Sequence, residues 1–481
     1  MTRTDRDAPT LVQRALKGHA AIGLLVGALM YLVVLSGTLV VIGPRWDRWE
    51  QPRAPEMHHI APAAVQHAVA VAGGAHPAAI MVTLPDDELP RTIVTAGKRP
   101  YFLDASGNRA QVVAHPWADF LLALHIYLNL PATLGLVVVG ALGSMLSALI
   151  VTGVIAHPRL FRDAFRLRAR ANRQLAQADW HNRLGIWTLP FGLAVALTGA
   201  FLGLAVVGAT LIAKGHHGGD VAQVYAPIFG DQVAPGGGPA KIADVAAALT
   251  MMQARFPDVT PSYVSIAGAG RQEQRIEIIA DVPHRLIYGE SYRFDAAGHY
   301  LGKVGLSDGA VGQQVAASMY RLHFGSFGGL AVELAYVLFG LCLLVVTGTG
   351  MSLWLHKRRR RGEPSVRLEA FWTIIVWGAP LLIVIDYWIV VAWPTASATW
   401  WFWSLLAALV IVLMIWPHFA KPSAGRRVLG ASILVTGVAH AALMRPSPAS
   451  FALDLVIALT GIIILVAPGL LAARRTITRA A

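Results

Sequence analysis

Four histidines, His19, His125, His181 and His323, each stand at the N-terminal end of a long apolar stretch. Neutral imidazole is a common metal ligand, and two imidazoles from different helices fill both axial positions of a haem, leaving no open site for oxygen chemistry. If the four stretches cross a membrane in alternate directions, His19 and His181 share one face, and His125 and His323 share the other. From His19 to the far end of its stretch is about 24 residues, roughly 36 Å at 1.5 Å per residue, so ligands on opposite faces cannot share one metal. The expected pairs are therefore His19 with His181 and His125 with His323, the iron ligands of two bis-histidine b-type haems. Such a chain passes electrons across a bilayer. A proton relay through the same histidines is the rival reading. A single histidine at a membrane boundary is ordinarily just interfacial, and it is the matched placement of all four that singles them out.

Further histidines compete. His157 and His356 end the second and fourth stretches and are second choices for the inner haem. Along an unbroken helix His157 stands about 48 Å from His125, beyond the hydrocarbon. His418 and His440 have no matched partners and read as structural. His58, His59, His216 and His217 lie outside the spans, where a metal or metal complex is conceivable, although loop histidines usually bind nothing.

The elements that must position these residues are membrane helices. The chain has 481 residues, 55% hydrophobic and 14% charged, with apolar runs of 20 or more that no soluble domain of this size shows. Eight spans are predicted, near 19–43, 117–157, 181–213, 323–356, 369–394, 400–419, 427–444 and 450–473. The first reads as an uncleaved anchor, since no small-residue cleavage site follows it. The net charge of +13 is placed by topology. Arg3, Arg6, Arg14 and Lys17 precede the first span. Arg159, Arg162, Arg166, Arg168, Arg170 and Arg173 follow the second, Lys357–Arg361 the fourth, and Lys421, Arg426 and Arg427 the sixth. Arg474, Arg475 and Arg479 come last. All fall on one side if both termini are cytoplasmic, the positive-inside pattern, so nucleic acid is not the expected partner. The cluster at 159–173 could also dock an acidic donor protein, though a topology signal suffices.

Two polar segments, 44–116 and 214–318, face the other side and read as small α+β domains. In the first, Pro62–Ala72 reads as a helix and Ala79–Leu84, Thr92–Thr95 and Tyr101–Asp104 as strands, the last entering a Gly107 turn. The second repeats this order with Ile242–Phe256, Tyr263–Ile266, Arg275–Ile279 and Tyr292–Asp295, entering a Gly298 turn. The spans repeat too, with Leu35-Ser36-Gly37 against Leu197-Thr198-Gly199, and Val151-Thr152-Gly153 against Val346-Thr347-Gly348. The first 356 residues thus read as a duplicated unit of helix, small domain and helix. The expected organisation is 1–43 (N-terminus and first span), 44–116 (first outer domain), 117–213 (second span, basic loop, third span), 214–318 (second outer domain), 319–361 (fourth span and basic loop) and 362–481 (an appended four-span bundle).

Gly135, Gly140, Gly143, Gly328, Gly329 and Gly340 would let helices, or a flat macrocycle, approach closely. Trp46, Trp117, Trp180 and Trp187 read as interfacial residues or haem neighbours. One cysteine, Cys342, excludes disulfides, thiolate clusters and covalent haem attachment. No Gly-x-Gly-x-x-Gly stands in a strand–helix setting, so flavin and nicotinamide sites are not expected, and electrons must come from a quinol or a separate cytoplasmic flavoprotein.

Across about residues 10–360 the chain resembles the PepSY-associated transmembrane family, which includes iron-regulated membrane proteins and ferrisiderophore reductases of the ferrioxamine-reductase type. The resemblance rests on His19-x-x-x-Gly23 with Leu35-Ser36-Gly37-Thr38, on Leu124-His125, and on Trp180-His181-x-x-x-Gly185 with Leu197-Thr198-Gly199. It rests also on Leu322-His323 and on Thr347-Gly348 with Trp354. It implies PepSY modules in the two outer segments and a dihaem protein of the bacterial inner membrane that reduces a ferric chelate, such as a ferric siderophore, in the periplasm. The last four spans depart from the family's four-span core. Two alternatives stand beside this reading: a haem-free PepSY membrane protein that binds or regulates a partner, and a proton-coupled transporter. The halves run in parallel topology, unlike the inverted repeats of many transporters.

Overall fold

The computed structural model describes residues 10–74, 77–157, 159, 173–230, 236–444 and 446–480, with the backbone alone at 173–175 and 467–480. Arg3, Arg6, Arg162, Arg166, Arg168 and Arg170 of the predicted basic clusters lie outside the described residues, as do the side chains of Arg173, Arg474, Arg475 and Arg479. The protein is a polytopic helical membrane protein with eight helices, among the described residues, long and apolar enough to cross a bilayer. Its contacts divide it into a helical unit (1–43, 116–204 and 328–481) and a sheet unit (44–115 and 205–327).

In chain order the first helices are α1 (Leu11–Val40), α2 (Gly43–Glu50) and α3 (Pro62–Gly73). Thr10 caps α1 through a reciprocal box with Gln13. Strands β1 (Ala79–Thr83), β2 (Ile93–Ala96), β3 (Arg99–Leu103) and β4 (Arg109–Val112) follow, then α4 (Pro116–Tyr127) and α5 (Ala132–Ala156). The predicted second span is therefore two helices. Leu128 and Asn129 take left-handed backbone angles (φ 53° and 55°), and Pro131, which cannot donate into a helix ladder, opens α5. The unbroken helix expected from His125 to His157 does not form. Next come α6 (Arg173–Trp187), α7 (Leu189–His216), α8 (Ala222–Phe229) and α9 (Val245–Arg255), followed by strands β5 (Thr260–Ala267), β6 (Arg275–Asp281), β7 (Glu290–Phe294) and β8 (Tyr300–Lys303). Helices α10 (Val311–Phe324) and α11 (Gly329–Arg360) are separated by Gly325–Gly328. The predicted third and fourth spans are likewise divided, so His181 and His323 sit on α6 and α10, each ahead of its spanning helix.

The four C-terminal spans begin with α12 (Val366–Thr373), which passes through a π-helical turn (Ile374–Gly378) into α13 (Ala379–Ala392). They continue as α14 (Ala398–Ile415), α15 (Pro422–Met444) and α16 (Pro448–Ala480). Glycines permit their closest approaches. A Cβ on Gly437 would stand 2.7 Å from the Asp454 carbonyl, and one on Gly461 2.5 Å from the Leu434 amide. The same device joins α5 to α7 at Gly140 and Gly143, and α11 to α1 at Gly340.

Within the sheet unit, the two α+β segments share one antiparallel sheet of eight strands, ordered β4-β3-β2-β1-β5-β6-β7-β8. The halves join where β1 pairs β5, with Met81 opposite Ser265. On β6 burial alternates, with Ile276, Ile278 and Ala280 inward. Together with Ile80, Val82, Val264, Ile266 and Phe294, these residues form one core with Val65 and Val69 of α3 and Leu249 and Met252 of α9. The Gln66 side chain of α3 accepts from the first amides of α9, Val245 (2.6 Å) and Ala246 (3.2 Å), so one half caps the other's helix. The matched turns also form. Asp104 accepts from the amides of Ser106 and Asn108, and Asp295 from those of Ala297 and His299. Gly107 and Gly298 take φ near 85°, and a Cβ on either would strike its half's helix.

Candidate functional site

His19 lies two turns into α1. Its Nδ1 is 3.0 Å from the Leu149 carbonyl near the end of α5 and 3.3 Å from Thr152 Oγ1, and its Cε1 faces Gly153. His181 on α6 repeats this against α11, with Nδ1 2.9 Å from the Val346 carbonyl and 3.3 Å from Thr349 Oγ1, and Cε1 facing Gly350. His125 on α4 repeats it again on α1, with Nδ1 3.0 Å from the Val33 carbonyl and the ring against Gly37. Each imidazole thus meets a carbonyl, and a glycine four residues further along the same helix. Position three of that interval is a hydroxyl residue in every case: Thr152, Thr349 and Ser36. The sequence carries a fourth copy of the pattern at Val195-Ala-Leu-Thr198-Gly199.

The pattern has a chemical consequence. A carbonyl only accepts, so each Nδ1 is the protonated nitrogen and donates to it, and Nε2 retains its lone pair. Fixing the tautomer through the second nitrogen is how a ligating histidine is prepared for a metal. The glycine leaves room for the ring edge.

The rings of His19 and His181 lie with centroids 6.3 Å apart and planes at 85°. Two imidazoles that ligate one metal from opposite sides at about 2.0 Å have centroids roughly 6.3 Å apart. Their planes can be perpendicular, since each need only contain its own metal–nitrogen axis. The separation and the tautomers fit a shared axial pair. His125 belongs to the helical unit and His323 to the sheet unit, where the His323 ring packs against Phe324 with centroids 5.4 Å apart.

The rival ligands are placed differently. His356 directs Nδ1 at its own helix's Ser352 carbonyl (2.7 Å), and His157 is exposed at the end of α5. His217 contacts Gln223. Among the described residues, no group of three or more histidine, cysteine or acidic side chains is disposed to hold a metal ion, His58, His59 and His216 included.

The C-terminal helices brace α4, the carrier of His125. Trp117 donates from Nε1 to the Ile383 carbonyl (2.9 Å) and meets Tyr387 edge-on (centroids 5.6 Å). Phe120 packs on Phe402 (5.1 Å), and Trp403 donates to Asn129 at the α4–α5 break (3.1 Å). Sequence reasoning left these spans without a part. Trp117 and Trp403 were visible as aromatics, but their partners were not. It also missed Leu149, Val33 and Val346, whose carbonyl roles no side chain betrays, and it set Thr347-Gly348 where Thr349-Gly350 meets the histidine.

In the sheet unit, a concavity of about 470 Å³ is lined by Thr260, Asp281, His284, Arg285, Arg321 and Phe327. Arg321 pairs with Asp281, and His284 holds φ 61°, uncommon outside glycine. The two α+β segments, read from the sequence as separate small domains, are joined here into one sheet.

Residues 16–357 match the PepSY-associated TM region family, about seven-tenths of the chain. The chain belongs to that family. The matched region covers all four histidines and the sheet unit, and it ends before α12. An uncharacterized protein of Pseudomonas aeruginosa is 28% identical over 288 residues, covering 56% of this chain and 72% of the relative.

Proposed function

We propose that this member of the PepSY-associated TM family is a dihaem b-type electron-transfer protein of a bacterial inner membrane. It reduces a ferric chelate on the face opposite the basic clusters, with electrons from quinol or a separate flavoprotein. The observation that carries the reading is the His19–His181 pair, with its 6.3 Å centroid separation and both Nδ1 protons committed to backbone carbonyls. His125 of α4 has the same setting against α1, and the repeat in the sequence, which matches it with His323, supports these two as the ligands of a second haem. A b-type haem held there by His19 and His181 would supply reversible one-electron carriage.

The chain's own groups do the rest. The Leu149, Val346 and Val33 carbonyls hold the ring protons, so that Nε2 is ready without a base. Gly153, Gly350 and Gly37 admit the ring edges. His284, Arg285 and Arg321 give the concavity of the sheet unit a basic lining suited to an anionic chelate. One electron converts one Fe(III) to Fe(II), for which hard oxygen ligands have less affinity, and the iron is released.

The test is the visible spectrum of the detergent-purified protein, oxidised and then dithionite-reduced, with pyridine haem quantification. The expected result is a low-spin b-type spectrum at two haems per chain. His323→Ala should remove one haem and the ferric-chelate activity while leaving the other haem, and His19→Ala the converse haem. A colourless protein, expressed with ample haem, sinks the proposal. Two haems retained in His323→Ala would refute the pairing.

A further inference from the structure

Beyond the family match, the interior of the C-terminal spans holds a set of ionisable groups that the histidine pairs do not use. His440 of α15 is fully buried, and its Nδ1 lies 2.8 Å from Oδ1 of the buried Asp454 on α16. The ring of Tyr387 on α13 approaches that of His440 (centroids 6.2 Å). Trp388 donates to Thr436, one turn before His440, holding α13 against α15 (2.9 Å). Next to Tyr387, Asp386 is wholly buried, and among the described residues neither of its carboxyl oxygens has a hydrogen-bond partner.

An ionised carboxylate in that position, unsatisfied and removed from water, is among the costliest arrangements a protein can hold, whereas the neutral acid is tolerable. Among the described residues no cation pairs with it. Helix α14 has no ionisable side chain. On α15 the arginines stand at the opposite end, where Arg426 reaches the Leu465 carbonyl (3.0 Å). The other titratable groups on packed elements are Asp119, His125 and Tyr127 of α4. Among the described residues no trio of metal-binding side chains comes together there. Hydroxyl side chains stand between Asp454 and the start of its helix. The loop residue Ser447 contacts Ser450 (3.3 Å), and Ser450 lies one helical turn before Asp454.

We propose that Asp386, Tyr387, His440 and Asp454 form an intramembrane proton-binding site, in which Asp386 carries the proton and the His440–Asp454 pair exchanges it with the Ser447–Ser450 end of the bundle. The site does not depend on haem. Its link to the rest of the molecule is direct, because Tyr387 meets Trp117 of α4 edge-on.

Infrared spectroscopy of the full chain in lipid nanodiscs tests this. Protonated carboxyl groups give a C=O stretch separate from carboxylate bands. The native protein should show a buried-acid band at neutral pH that Asp386→Asn abolishes and Asp386→Glu shifts. On transfer to deuterium oxide the band should exchange, and in His440→Gln and Asp454→Asn that exchange should slow by about a hundredfold or more. Absence of any buried-acid band in the native protein overturns the proposal without recourse to a variant. A band unmoved by both Asp386 substitutions overturns the assignment of the proton. Exchange as fast as native in both pair variants overturns the role of the pair.

Discussion

A methyl group added at Gly37 offers a quantitative check on how the histidines are seated. An alanine Cβ there would stand 2.6 Å from Cε1 and 2.9 Å from Nδ1 of His125. Carbon–carbon contacts settle at about 3.5–4.0 Å, so the imidazole must retreat by roughly 1 Å. Its 3.0 Å bond to the Val33 carbonyl cannot survive that shift. The lost bond costs about 1 kcal/mol and overpacking about 1–3 kcal/mol, offset by about 1 kcal/mol of helix propensity gained from glycine to alanine. The net is about 1–3 kcal/mol, a factor of roughly 5 to 150 in an equilibrium constant. The matched glycines predict a graded series. At Gly350 the added Cβ meets His181 at 3.2 Å, and at Gly153 it meets His19 at 3.4 Å, close to an ordinary contact. Thermal unfolding and haem content should therefore fall in Gly37→Ala, fall slightly in Gly350→Ala, and stay level or improve in Gly153→Ala. If Gly37→Ala matches the native protein in both assays, the glycines do not serve the imidazoles as argued.

Three further outcomes follow from the structure. Burial, and then the neighbouring Arg91, pulls His115 down to about 4, while Asp47 at 3.7 Å does not offset the lost hydration. The unfolded chain takes up this proton near 6.5, so the contribution to stability is whole above that pH and lost as pH falls toward 4, by up to about 3 kcal/mol. Melting curves from pH 7 to 4 should show this slope in the native protein, and His115→Gln should flatten it. Glu290 is buried and accepts from the amides of Ser291, Gly305, Leu306 and Ser307 and from the Ser307 hydroxyl (2.6 Å). Glu290→Gln turns an amide NH2 toward these donors and should destabilise the sheet unit by about 2–3 kcal/mol, read by denaturant titration. Trp117→Phe keeps the ring on Tyr387 but loses the bond to the Ile383 carbonyl, so it should lower stability by about 1 kcal/mol, with Trp117→Ala costing about 3–5 kcal/mol in the same melt.

Much of the helical frame was legible because a membrane helix is a composition as well as a shape, and the eight apolar runs correspond to eight helices, among the described residues, long and apolar enough to cross a bilayer. Strands β1, β2, β3, β5, β6 and β7 were legible in the sequence. Strands β4 and β8 were not, being four-residue edges with little buried surface, such as Arg109–Val112 with every residue exposed. The α4–α5 break was missed because Leu128-Asn129-Leu130-Pro131 interrupts an apolar run for only four residues, although Pro131 was a signal. Joining the two α+β segments into one sheet rests on a β1–β5 pairing that no local pattern encodes. His440 read as structural because its partner Asp454 lies on the next helix and Asp386 on another, and proximity between helices is not written in spacing along either.

The central position of β1 also constrains how the protein can be made. β1 is flanked by β2, which follows it at once, and by β5, which the ribosome delivers about 180 residues later, or roughly 10–35 s at ordinary elongation rates. During that interval α4 to α7 must be handed to the membrane while β1 waits with one row of backbone amides and carbonyls unpaired, beside the apolar Ile80 and Val82. Such an edge accepts any strand that reaches it. Two nascent chains from one polysome could satisfy each other's β1 before their own β5 emerges, so strand-exchanged dimers are the misassembly this architecture invites. Overexpression should raise their yield before it saturates membrane insertion.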